Sequence, residues 1–302
     1  MKTMYLFNFR KKIYWVLFLF FSCSFLSLGD EQEKHEFSLA INAGFSSFKQ
    51  SLNEGSSNYK PGGSVSVSYF NFLTDEFGIG TGLEMFFYKG QSKIGTFSDR
   101  YMANDGIDDF EFRTTIENYK ETQTATYINI PVMIQLQYPL FHDDHLTYLS
   151  IGGKIGFPVY AKSEIAETSF STSGFYPEYN LLLDEPASHG FGIFKSKKQR
   201  ENLHFNVAYT LCAELGMKWE VGEFLSLYTG GYLDYGLNNV NKKKKGDKPI
   251  LFYDREAPAN YHFNSMLEAK YEQNEEKLRF NTKITPVALG IKIRIAFRLP
   301  EY

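Results

Sequence analysis

Residues 126–140, TYINIPVMIQLQYPL, alternate between apolar and polar side chains over their whole length. One face carries Ile128, Ile130, Val132, Ile134, Leu136 and Tyr138, and the other carries Asn129, Pro131, Met133, Gln135 and Gln137. A period of two residues indicates a β-strand and not a helix. Strands of globular proteins usually have about 5–6 residues. The stretch therefore predicts an unusually long strand with one continuous apolar face.

Seven further stretches repeat this pattern. They are Phe37–Phe45, Gly63–Leu73, Phe77–Tyr88, Tyr148–Ala161, Phe205–Val221, Leu225–Leu237 and Ile284–Leu299. Their apolar faces are aliphatic or aromatic, while the opposite faces carry charges in mid-strand. A soluble β-sandwich also alternates, but it places its polar face in water. A barrel in lipid places the polar face inside, which accounts for charges in mid-strand.

The links between these stretches alternate in length. Short links at 74–76, 141–147 and 222–224 separate long ones at 46–62, 89–125, 162–204 and 238–283. This alternation leaves both chain ends on the short-turn side. The sequence thus predicts an all-β fold, an eight-stranded antiparallel transmembrane β-barrel with short periplasmic turns and long outer loops. Aromatic residues, 17% of the chain, would supply its interface girdles.

The N-terminal residues have the pattern of an export signal. Basic residues at Lys2 and 10–12 precede an apolar run at 13–28, and Ser27-Leu28-Gly29 offers a cleavage site before Asp30. We therefore predict a signal peptide over 1–29, a barrel domain over 30–302 and a location in the outer membrane of a Gram-negative envelope. A lipoprotein modified at Cys23 and a retained anchor helix are the alternatives.

Charge and cysteine content exclude some functions. The chain has 32 Lys and Arg against 35 Asp and Glu, and the first 29 residues hold four of the basic ones, so the mature net charge is −7. This disfavours nucleic acid as a partner. The basic run Lys242–Lys245 fits a solvated loop or contact with an acidic surface polymer. Mature cysteine is limited to Cys212, so no intramolecular disulfide forms.

Charged residues with inward parity occur on five predicted strands. They are Glu84, Lys154, Glu214, Lys218, Glu220, Asp234, Lys292, Arg294 and Arg298. Burial of an unpaired charge is costly, and side chains nearly fill an eight-stranded barrel. We expect a structural network of ion pairs, with a hydrated small-solute path or a proton-linked role as alternatives. Three prolines, Pro131, Pro158 and Pro286, also have inward parity, and we interpret them as bulges near the outer rim.

Two segments resemble a known family. Residues 127–139 (YINIPVMIQLQYP) and 148–163 (YLSIGGKIGFPVYAKS) resemble PorT-like outer-membrane β-barrel proteins, which are small barrels of the OmpA/OmpX type. The last strand, 290–297 (GIKIRIAF), resembles the signal recognised by the barrel assembly machinery, with Gly290, Ile293, Ile295 and Phe297 in its pattern. The resemblance implies porin-like architecture and outer-membrane lipid and the assembly machinery as partners. It leaves the function open, because members have diverse roles.

Catalytic and metal motifs are weak. Residues 142–145 (HDDH) offer metal ligands by type but fall in a predicted turn, and we expect neither a metal nor a cofactor. An enzyme that hydrolyses or transfers lipid acyl chains would need a serine and a histidine at the outer rim. His189, His204 and His262 lie in or beside long loops, where serines are plentiful, but no spacing marks a catalytic triad. We therefore predict a protein without catalysis, with the lipid enzyme as alternative.

The long links at 162–204 and 238–283 are rich in aromatic and polar residues. Such loops on a rigid scaffold suit binding of an envelope protein or a surface glycan. Ser265–Leu278 could form a short amphipathic helix. We predict a structural or interaction protein, with surface binding, a role in a secretion assembly and lipid chemistry as the alternatives.

Overall fold

The computed structural model describes residues 34–52, 54–140, 142–241, 248–273 and 276–299. The predicted signal peptide, Cys23 and Lys242–Lys245 lie outside these ranges. The strands within them are β1 (Lys34–Leu52), β2 (Ser56–Phe72), β3 (Phe77–Asn104), β4 (Asp109–Leu140), β5 (His142–Ile165), β6 (Ser169–Tyr176), β7 (Leu181–Leu183), β8 (Gly192–Lys195), β9 (Gln199–Asn202), β10 (Ala208–Glu220), β11 (Leu225–Gly236), β12 (Leu251–Phe252), β13 (His262–Phe263), β14 (Lys270–Gln273), β15 (Glu276–Arg279) and β16 (Asn281–Arg298). Single turns of 3₁₀-helix occur at Pro177–Tyr179 and Ala187–His189. No helix in the described residues is long and apolar enough to cross a membrane.

Eight strands of the described part pair in a ring. The order is β1, β2, β3, β4, β5, β10, β11, β16 and back to β1, and every pairing is antiparallel. We call these strands the ring. Each of them contains most of one of the eight stretches predicted from alternation, so the prediction of eight antiparallel strands is confirmed.

Two of the three short turns lie where the sequence predicts them, whereas β5 begins at His142, inside the link predicted at 141–147. In the turn from β2 to β3 the Leu73 N–H donates to the Phe77 carbonyl, and in the turn from β10 to β11 the Gly222 N–H donates to the Leu225 carbonyl. At the same end of the ring, Glu36 near the start of β1 pairs with Arg298 at the end of β16. Both described chain ends therefore lie on the short-turn side.

The prediction of long loops at 46–62 and 89–125 is wrong. β1 and β2 continue through most of the first link, while β3 continues to Asn104 and β4 begins at Asp109. From Phe87 to Asn104, β3 extends for about 55 Å at roughly 3.3 Å per residue. These extensions lack an outward apolar face, because polar side chains such as Ser98 and Thr115 occupy it. Alternation of the kind that marks the ring is therefore absent from the sequence there.

The other two long links also fold. We call residues 94–121, 162–204 and 248–280 the head. Its core of inward-facing side chains includes Phe97, Phe110, Phe112, Phe170, Phe263 and Phe280. Residues 266–268 form a turn, and β14 and β15 form a hairpin. The predicted helix over Ser265–Leu278 is therefore wrong, because its apolar residues pack into this core and not along a helix face.

The bulge interpretation holds for one proline of three. Pro158 pairs with Tyr127 beside a register shift, as predicted. At Pro131 the pairing of β3 with β4 skips two residue pairs and resumes in the same register, since proline lacks the N–H for the ladder. The Thr81 hydroxyl donates to the Pro131 carbonyl at 2.8 Å.

Pro286 likewise lies in an unbroken register, opposite Phe48 on β1. The pairing of β11 with β16 includes Val287, the residue after Pro286, but not Pro286 itself. The N–H that Pro286 lacks therefore interrupts no residue pair between β11 and β16. Bulges at Pro131 and Pro286 were incorrectly predicted.

Candidate functional site: the ring interior and the head

The outer face of the ring is apolar on every strand. One side chain from each strand illustrates this, and these eight are between 49% and 65% exposed: Ile41, Val65, Leu83, Val132, Ile151, Leu215, Leu233 and Ile291. We call this surface the apolar belt. Phe37, Tyr69 and Phe297 pair side by side near its short-turn edge, and Phe45, Phe87 and Tyr235 are exposed nearer the other edge. On β4 the belt runs from Ile128 to Tyr138, matching the roughly 9–11 residues of a spanning strand.

Inside the ring, Lys154 lies between two carboxylates. Its Nζ donates to Glu84 at 3.0 Å and to Asp234 at 2.9 Å, and all three side chains are buried. Asn42, Ser64 and Asn129 also donate to Glu84. Asp234, the other carboxylate of this group, accepts a hydrogen bond from Lys154. Lys154 therefore lies at the centre of the layer.

Further buried pairs lie toward the short turns. Lys292 pairs with Glu214. Lys218 donates to Glu36 at 2.6 Å, and the Tyr228 hydroxyl donates to the same carboxylate at 2.6 Å. The predicted strand began one residue too late to include Glu36, although the inward parity of Ser38 and Ala40 extends to it.

Arg294 is held mainly by aromatic rings. Its guanidinium carbon lies 3.8 Å from the ring centroid of Tyr228, and its Nη2 donates to Gln135 at 2.6 Å. Tyr148 and Phe70 lie within 5.3 Å and 4.8 Å of the same group. A cation in a low-dielectric interior gains from such rings, because their faces carry negative charge.

The last two predicted charges lie at the rim. Arg298 donates to Glu220 at 3.2 Å, and both side chains are partly exposed. Of the predicted assembly-signal residues, Ile293, Ile295 and Phe297 are exposed on the outer face of β16. Gly290 lies opposite Gly44 on β1, where the two backbones approach closely.

Beyond the charged layers, on the side away from the short turns, aromatic side chains fill the ring. Phe48, Phe86, Tyr88, Tyr127 and Phe205 belong to one cluster, with centroids of Phe86 and Tyr88 at 4.1 Å. Residues 264–269, which we call the inserted segment, add Leu267 to the same cluster. The ring interior is therefore closed from above by a part of the chain distant in sequence.

Glu121 on β4 fixes the inserted segment. It accepts hydrogen bonds from the Ser163 hydroxyl at 2.5 Å, the Ser265 hydroxyl at 2.5 Å, the Met266 N–H at 2.9 Å and the Tyr119 hydroxyl at 2.9 Å. Burial raises the pKa of this carboxyl, and the four donors oppose the increase. The sequence did not identify Glu121, because its position fell in a predicted loop.

A second carboxyl joins the parts of the head. Asp99 on β3 accepts from the Arg100 N–H at 2.9 Å and from the Glu272 N–H at 3.1 Å, which links β3 to β14. Burial raises the pKa of Asp99 to about 6. Burial therefore disfavours the ionised form of Asp99, whereas the two N–H donors favour it and oppose the increase.

The residues considered for metal and catalysis do not converge. In the described part of the chain, no three His, Cys, Asp or Glu side chains form a metal-binding group. His145 packs against Trp219 with centroids 4.5 Å apart, and the side chains of 142–144 lie outside the description. His189, His204 and His262 are exposed. The enzyme alternative thus rests on the sequence alone.

Comparisons with known proteins give structural likenesses only. No family model matches the chain, and no curated protein matches it. Neisserial surface protein A is 11% identical, with 88% of this chain and 99% of that chain covered, at a TM-score of 0.33. The attachment invasion locus protein Ail of Yersinia pestis is 10% identical over 88% and 99%, at 0.29. The toluene transporter TodX of P. putida is 9% identical over 92% of each chain, at 0.15. With TM-scores below 0.5, these likenesses carry no argument for function.

Proposed function

We propose that this protein is an outer-membrane β-barrel of the structural and interaction type, which displays the head outside the cell. The apolar belt is the observation that carries the proposal. Soluble proteins rarely expose contiguous apolar patches larger than a few hundred Å². The belt occurs on all strands of the ring, as does the outward apolar band of a barrel that spans a membrane.

The interior argues against a general porin. Glu84, Lys154, Glu214 and Lys292 line a cavity of about 20 Å³, enough for roughly one water molecule. The aromatic cluster and the inserted segment lie above it. A ring with a filled interior would serve as a scaffold for the head. Interaction with other molecules would then occur through the head.

Surface binding is the second candidate. The head has a core of its own and strands that project beyond the apolar belt, so it would present a rigid surface. The resemblance to PorT-like proteins leaves a secretion assembly as a further hypothesis, and the lipid enzyme remains another. No contact within the described residues favours either of these two.

Heat-modifiability tests the proposal. Folded protein from membrane fractions would be compared on a gel in SDS, unheated and boiled. We expect recovery in the outer-membrane fraction and a mobility shift on boiling, because a barrel held by interstrand hydrogen bonds resists SDS until heated. Soluble periplasmic protein without a shift would contradict the proposal, and the apolar belt would then have to be an interface between copies.

A further inference from the structure

The outward face of the head has an interruption in its sheet at Ser173. On β6, β7 pairs as far as Gly174 and β8 pairs from Thr172, so the position beside Ser173 has no strand partner on that edge. Residues 184–191 leave the sheet there. The Thr172 hydroxyl donates to the Gly190 carbonyl at 2.7 Å and anchors the end of this excursion. The interruption is therefore a fixed feature of the head.

A groove of about 520 Å³ occupies this interruption. Its size falls in the range of roughly 300–1,000 Å³ that is usual for small-molecule sites. Hydroxyl groups of Thr115, Ser171 and Ser173 line it, together with Arg113. Thr115 lies opposite Ser171, and Arg113 lies opposite Ser173, so these four share one face of the sheet.

The charges around the groove are more acidic than basic. Arg113 already donates to Glu111 at 2.6 Å, and its guanidinium lies 4.7 Å from the ring centroid of Phe175. Asp184 and Glu185 line the opposite side. A strongly anionic ligand would meet these carboxylates, whereas the charge of Arg113 is already offset by Glu111. The groove therefore disfavours an anion, and its carboxylates can accept hydrogen bonds from the hydroxyls of a neutral ligand.

The remaining groups suit a ligand that is rich in hydroxyls. Each serine or threonine hydroxyl both donates and accepts, as the hydroxyls of a sugar do. At the edge, Ile193 is 89% exposed and offers an apolar surface for the C–H face of a sugar ring.

We propose that this groove binds a neutral oligosaccharide. The inference rests on the proposed function, since it requires the head to lie outside the cell. It names the ligand class for the surface-binding candidate. Arg113, Thr115, Ser171 and Ser173 are its polar contacts, and Ile193 is its apolar one.

The test uses the full chain in detergent micelles and isothermal titration calorimetry. The neutral probes are maltoheptaose, cellohexaose and chitohexaose, and the charged probes are dextran sulfate and oligolysine. We expect at least one neutral probe to bind. Ser173→Val, which fills the groove with methyl groups, should weaken that binding at least tenfold. Thr96→Val is the matched control, because Thr96 is exposed on the same projecting strands outside the groove.

Each other outcome overturns the inference. Absence of binding by all three neutral probes would do so, as would binding that Thr96→Val weakens as much as Ser173→Val. Preferential binding of dextran sulfate or oligolysine in the groove would assign a charged ligand instead. Every variant is also assayed for its mobility shift on boiling. A normal shift without saccharide binding contradicts only this inference, whereas loss of the shift in the unmodified chain contradicts the proposed function.

Discussion

At the scale of single residues, the ring interior is a problem of charge compensation. Four buried basic groups, Lys154, Lys218, Lys292 and Arg294, face four buried carboxylates, Glu36, Glu84, Glu214 and Asp234. Moving a charge out of water costs several kcal/mol, which a well-placed partner offsets. Such pairs add little net stability compared with an apolar core, but loss of one member leaves a charge unpaired. The network therefore fixes the arrangement of side chains more than it strengthens the fold.

Lys154→Met should destabilise the ring strongly. It leaves Glu84 and Asp234 buried together without their common cation, and the expected cost is about 3–5 kcal/mol. Arg298→Met is the matched control. Its partner Glu220 is half exposed, so the loss should be at most about 1 kcal/mol. Urea unfolding in lipid vesicles, followed by tryptophan fluorescence, measures both. Equal losses for the two variants would contradict the role given to Lys154.

At the scale of elements, close approach of strands depends on glycine. Gly44 on β1 and Gly290 on β16 lie directly opposite each other. A Cβ at Gly290 would lie 2.2 Å from the Ala43 carbonyl oxygen, and one at Gly44 would lie 2.1 Å from the Leu289 carbonyl oxygen. These contacts involve backbone atoms, which cannot rotate away. The first and last strands of the ring therefore meet in a form that a side chain at either position would push apart.

Gly290→Ala should reduce the fraction of protein that folds into the ring. Gly231→Ala is the matched control, because a Cβ there lies 3.6 Å from its nearest neighbour, an ordinary contact. The fraction that shows the mobility shift after refolding into detergent micelles measures the effect. We expect a severalfold loss for Gly290→Ala and little change for Gly231→Ala. A normal yield for Gly290→Ala would show that β1 and β16 separate at little cost.

The elements also show how far the sequence is predictive. Alternation identified all the strands of the ring, because each of them has an apolar outer face and a mostly polar inner one. It missed the extensions of β3 and β4 beyond Phe87, where the outward residues turn polar. Parity placed the interior charges on the correct face. The pairing of Lys154 with two carboxylates depends on strand register and could not be read from single strands.

The same limit applies to the candidate sites of the head. Glu121 contacts Ser265 and Met266, which are more than 140 residues away in sequence. The groove at Ser173 exists because β7 and β8 pair with different parts of β6. Neither feature leaves a local pattern. The composition of the long links predicted only that segments rich in aromatic and polar residues would bind a partner.

At the scale of the whole molecule, two successive layers close the ring. The first consists of the ion-paired side chains around Lys154, and the second consists of the aromatic cluster with the inserted segment above it. Either layer alone would exclude hydrated ions, because side chains of an eight-stranded ring nearly fill its interior. Loosening the second layer should therefore expose the inserted segment without opening a path for ions through the ring.

Glu121→Ala separates the two layers experimentally. It removes the acceptor of four hydrogen bonds, so the inserted segment should become sensitive to protease, while planar bilayers containing the protein show no conductance steps. Glu117→Ala, an exposed position on the same strand, should change neither property. Conductance steps in the unmodified chain would contradict a filled interior. Steps only in Glu121→Ala would mean that the inserted segment is the sole barrier and that the charged layer beneath it admits water and ions.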